Sequence, residues 1–101
     1  MSARQFHLNR VSLDGIAVRR LSAALRYEDG DRPSTRGSPW WAYLACELLP
    51  SRCRVGSQLH LEATLVSGRR FDGMAKIVER RDDAYGTTLI LAGIEPLLSL
   101  S

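Results

Sequence analysis

Histidine and cysteine are scarce in this chain, and each shortage removes a class of chemistry. Only His7 and His60 are present, each in a stretch that reads as a strand, so neither a Ser-His-Asp nor a Cys-His catalytic arrangement finds its members. The pair Cys46-x6-Cys53, even with both histidines added, matches no structural zinc spacing. Without a secretory leader these cysteines are expected to be free thiols rather than a disulfide. The eight glycines are scattered over turns and strand ends, so no loop is built to cradle a phosphate. No apolar run approaches the roughly 20 residues that cross a bilayer, and residues 1–10 lack the apolar centre of a signal peptide. The expectation is a protein that is not an enzyme, with no metal, cofactor, small-molecule ligand or membrane. It belongs in the cytoplasm, or in a virion if it derives from a phage.

What remains is an ordinary globular composition, with 45% hydrophobic and 25% charged residues in 101. That length fits one domain over residues 1–101, built around one core. Thirteen of the fourteen basic residues are arginine, a bias that genomic base composition explains as readily as a need for bidentate contacts. The net charge of +3 is uneven: residues 1–27 hold five arginines against Asp14, whereas residues 57–101 hold five bases against six acids. An acidic partner would therefore meet the N-terminal third.

Period-two alternation dominates the second half of the chain. Leu59, Leu61, Ala63 and Leu65 alternate with His60, Glu62 and Thr64, which predicts a strand with one buried face. Ser67-Gly68-Arg69-Arg70 supplies turn chemistry, and Phe71, Gly73, Ala75 and Ile77 then alternate in a second strand. A charged turn over residues 80–86 leads to a third strand at 87–94, completing a meander. In the first half, Asp14-Gly15 is the dipeptide preferred in a tight hairpin turn, between strands at 6–13 and 16–18. The segment 19–27 reads as helix or strand, with a strand favoured, continuing from Ile16 through a bulge near Arg19 and Arg20. Residues 28–39 carry glycine, proline, serine and charge and predict a long exposed loop.

The densest apolar run is residues 39–50. A helix at 39–49 would start on Ser38 and Pro39 and stop at Pro50. A strand would put Trp41, Tyr43 and Ala45 on one face and Trp40, Ala42, Leu44 and Cys46 on the other. The strand is preferred, with an antiparallel neighbour in the strand that begins near Ser57. About six short strands then close as a small antiparallel β-barrel or barrel-like sandwich, which hides its edges.

Two binding chemistries have candidate residues in the chain. Arg32 and Arg36 have the RxxxR spacing by which PilZ-type barrels grip a cyclic dinucleotide, but here the arginines follow the Asp14-Gly15 fragment instead of preceding it. Arg4, Arg10, Arg19, Arg20 and Arg26 are candidate nucleic-acid contacts, with few aromatics beside them for stacking. The overall order, Val11–Gly15, then Leu21–Tyr27, Trp40–Leu44, Val55-Gly56 with Leu59 and Leu61, Gly68–Phe71 with Gly73, and Leu91–Leu97, resembles the small β-barrel modules of phage tails and baseplates. That resemblance implies assembly into a ring or tube. Adjacent tryptophans of a strand cannot both enter one core, so one indole is expected outside it. Trp40, Trp41 and Tyr43, with Leu97, Leu98 and Leu100 of the C-terminal tail, are the candidate partner-binding residues. The leading expectation is a structural or interaction subunit that meets copies of itself or another protein; a nucleic-acid-binding barrel is the alternative.

Overall fold

The computed structural model describes the backbone of residues 3–28, 40–94 and 98–99, and the side chains of 5–19, 21–26 and 40–94. Of the exposed loop expected at 28–39, Glu28 ends a strand and residues 29–39 lie outside the described residues, as do the tail residues Leu97 and Leu100 and the side chains of Leu98, Arg4 and Arg20. Eight strands follow one another: β1 (Ala3–Leu13), β2 (Ile16–Val18), β3 (Arg20–Glu28), β4 (Trp40–Cys46), β5 (Gln58–Leu65), β6 (Arg70–Asp83), β7 (Gly86–Gly93) and β8 (Leu98–Ser99). Residues 40–46 form a strand and not the helix considered for 39–49. The charged turn shrinks to Ala84-Tyr85, because β6 runs on through Asp83.

All pairings are antiparallel, and six strands close in the cyclic order β1-β3-β4-β7-β6-β5, with β5 returning to β1. β2 pairs with β1 and β8 with β6 outside that ring. Closure depends on β1, which gives its first half to β3 and its second half to β5. A register shift between Leu8 and Arg10 lets it bend from one neighbour to the other. The same shift explains why apolar residues fall at 8, 11 and 13 rather than at strict alternation. The expected pairing of β4 with β5 does not form. β3 and β7 occupy the two edges of β4, so the connection 47–57 has to cross one end of the barrel.

The β1–β2 turn is the one the sequence dictates. Asp14 (φ 52°) and Gly15 (φ 81°) are both left-handed, as a two-residue hairpin turn requires. The turn is fastened to β5 by two 2.8 Å bonds: Asp14 N–H donates to the His60 carbonyl, and the Asp14 carboxylate accepts from the His60 N–H. Inside the ring, Leu25, Trp40, Leu44, Leu61, Phe71, Ile77, Leu89 and Leu91 are fully enclosed. Trp40 lies over Gly93, where a β-carbon would collide with the indole. The core therefore accepts Trp40 because β7 carries no side chain opposite it.

Candidate interaction surfaces

β4 sorts the two tryptophans. Trp40 is 2% exposed and belongs to the core with Ala42, Leu44 and Cys46, which removes it from the candidate partner surface. Trp41, Tyr43 and Ala45 alternate onto the outer face and remain partly exposed. Cross-strand register then builds two rows on that face. His7, Ala24, Tyr43 and Ile90 lie side by side across β1, β3, β4 and β7. Arg26, Trp41, Ala92 and Lys76 form the next row, across β3, β4, β7 and β6. Because alanines flank the aromatics, the face is not flat: Gln5, His7, Ala24, Tyr43, Ala45 and Thr88 line a shallow hollow of about 260 Å³.

The arginines of the N-terminal third do not form one stripe among the described residues. Arg10 sits opposite Thr64 on the β1–β5 seam, Arg19 at the break between β2 and β3, and Arg26 beside Trp41. Arg26 is the one of these three that the fold brings next to an aromatic on the outer face.

A second surface lies at the barrel end crossed by residues 47–57. Its organiser is Arg80, which the sequence reading assigned to a turn. A register shift between Ile77 and Glu79 changes the phase of β6, so Arg80 faces inward opposite the buried Leu89. Its guanidinium donates to the carbonyls of Leu49 (2.7 Å), Pro50 (2.8 Å) and Cys53 (2.6 Å). It also donates through Nε and Nη2 to the two oxygens of Asp82, at 3.0 and 3.3 Å. Thr87 completes the clamp: its hydroxyl donates to Asp82 (3.0 Å) and accepts from the Leu49 N–H (3.0 Å). Hydrogen bonding from Arg80 holds the Asp82 carboxyl below its ordinary range. Within this connection the Pro50, Arg54 and Ser57 carbonyls accept from backbone N–H groups, and the Arg80 fork adds donors to Leu49 and Cys53 and a second one to Pro50. The sequence signal is faint: Arg80 and Asp82 are two apart, but only the bulge turns Arg80 inward, with Asp82 exposed beside it.

Beside this clamp lies a cavity of about 400 Å³, with Leu13, Val18, Leu49 and Leu59 among its walls and Asp14, Glu47, Arg52 and Cys53 at its polar margin. Both thiols are free. Burial, then the neighbouring Glu47 carboxylate, pushes the Cys46 thiol up to about 11, and it donates weakly to the Thr87 carbonyl at 3.6 Å.

On the outside of β5 and β6, His60 Nε2 lies 2.7 Å from Asp72 and Nδ1 lies 3.6 Å from Glu62. The other oxygen of Asp72 is buried without a hydrogen-bond partner. The contact of His60 with Asp72 is a cross-strand one, from the polar face of β5 to β6, while Ser12, Glu62 and Thr64 line a small depression nearby. Comparison with family models, curated proteins and solved structures finds no match for the chain.

Proposed function

We propose that this barrel is a non-enzymatic structural subunit that associates with copies of itself through the outer face of β1, β3, β4 and β7. One observation carries the reading: Tyr43 is itself a wall of a hollow over Ala24 and Ala45, and Trp41 follows it on the same face, two residues along β4. A two-fold contact needs one patch that complements itself, and a projection next to a recess meets that need. Tryptophan and tyrosine suit the role because they bury much area and lose few rotamers. A ring or tube, as the likeness to tail and baseplate modules implies, would add a second contact elsewhere on the barrel. Light scattering on wild type, Trp41→Ala and Tyr43→Ala tests the proposal. Wild type should exceed the monomer mass and both variants should approach it with unchanged circular dichroism. A wild type that stays monomeric at high concentration and recovers no partner in pull-downs overturns it.

A second reading, single-stranded nucleic acid stacked on the same face, is favoured by the row that sets Arg26 and Lys76 on either side of Trp41 and Ala92. The spread of Arg10 and Arg19 to other parts of the barrel counts against it.

A further inference from the structure

We infer that the cavity at the clamped end of the barrel receives an extended segment of a partner protein, added as a strand to β2 with two apolar side chains inserted. The inference is independent of the Trp41 face, which lies on a different part of the barrel.

The β3–β4 ladder stops at one backbone bond, from the Glu47 N–H to the Arg19 carbonyl at 3.0 Å. Beyond it the chains separate: β2 continues with Val18, Ala17 and Ile16, while residues 47–50 turn away under Arg80, and the cavity opens between them. Among the described residues β2 pairs with β1 alone, in the register Leu13↔Ile16, Ser12↔Ala17, Val11↔Val18. In a hairpin closed by two turn residues the flanking pair exchanges hydrogen bonds, so the next pair is the unbonded kind and the Ala17 N–H and C=O point away from β1. They form an open edge where β4 has left off. A donor and an acceptor presented by one residue of an open strand edge match another extended backbone.

Cavity and rim fit the side chains of such a segment. A volume of about 400 Å³ exceeds what one aliphatic side chain fills, and alternate residues of a strand project to the same side. The walls are Leu13, Leu49 and Leu59, and the lip carries Ile16 and Leu48, which are 55% and 66% exposed although large and apolar. Asp14 and Glu47 against Arg52 make the margin more acidic than basic, which favours a basic residue next to the apolar pair. The Arg80 clamp fixes the opposite wall in advance, so little ordering is left for binding.

The probe is the synthetic peptide acetyl-Lys-Leu-Ser-Leu-Lys-amide, titrated into the full-length ¹⁵N-labelled protein. Amide shifts should be confined to residues 13–19 and 47–59. Replacing the central serine of the peptide by proline should weaken binding at least tenfold, and replacing its lysines by glutamates should weaken it several-fold. Ile16→Asp, at an exposed position, should abolish the shifts without altering the rest of the spectrum. Absence of shifts in those segments, or equal binding of the proline peptide, overturns the inference. So does equal binding of N-acetyl-leucine amide, which would make the cavity a small-ligand pocket.

Discussion

At the residue scale the protein is governed by which side of a strand a side chain takes. Leu61 is 1% exposed in the centre of the core, whereas Thr64 looks outward on the same strand. Leu61→Asp should therefore unfold the barrel, since an unpaired buried carboxylate costs several kcal/mol against a typical total of about 5–15. Thr64→Asp should leave the melting curve nearly unchanged; equal damage from both in thermal unfolding would contradict this facing of β5. The cysteines differ in the same way. Cys46 is buried with its thiol raised to about 11, while Cys53 is only half buried at the margin of the end cavity. A thiol reagent at pH 8 should modify Cys53 first and reach Cys46 only on unfolding. Simultaneous labelling in the native protein would contradict the burial.

At the scale of elements, strands whose one face is buried were legible because alternation is a local signal. β5, the first half of β6 and the division of Trp40 from Trp41 follow from it, while the first hairpin follows from the Asp14-Gly15 dipeptide and β7 from its run of β-branched and apolar residues. What local pattern cannot carry is the partner of each strand. β4 was expected beside β5, yet it lies between β3 and β7, because closure of the ring decides pairing. The Arg80 clamp was hidden for a related reason: a one-residue phase change in β6 turns an apparent turn residue into an inward one. Arg80→Ala would remove the guanidinium donors from the Leu49 and Cys53 carbonyls, leaving Pro50 with the Cys53 N–H and Asp82 with the Thr87 hydroxyl, and the two bared carbonyls should cost about 2–4 kcal/mol in thermal or denaturant unfolding. Asp82 adds an acid dependence. Its folded carboxyl titrates below the unfolded one, so its contribution is present above the ordinary carboxylate range and is lost as pH falls through the lowered value, below about pH 4. Asp82→Asn should be less stable at neutral pH and lose less on acidification. An acid melting profile identical to wild type would contradict the ion pair.

At the scale of the whole molecule, a closed ring uses up the hydrogen-bonding edges of six strands, leaving faces and ends as the places where it can meet something else. The net charge of +3 is modest, and among the described arginines of the N-terminal third Arg10, Arg19 and Arg26 sit on different parts of the barrel. Retention of single- or double-stranded nucleic acid should accordingly be weak near physiological salt and fall steeply as salt rises. Tight, sequence-selective retention there would move the nucleic-acid reading ahead of self-association. The central claim is that Trp41 and Tyr43 of one copy enter the hollow over Ala24 and Ala45 of another. Sedimentation velocity over a concentration series, on wild type and on Ala24→Glu, tests it most directly. The account predicts that wild type shifts to a faster species as concentration rises, while Ala24→Glu, with its hollow filled and charged but its aromatics intact, remains a monomer of unchanged shape. A wild type that sediments as a monomer throughout, or an Ala24→Glu chain that associates as wild type does, would contradict it.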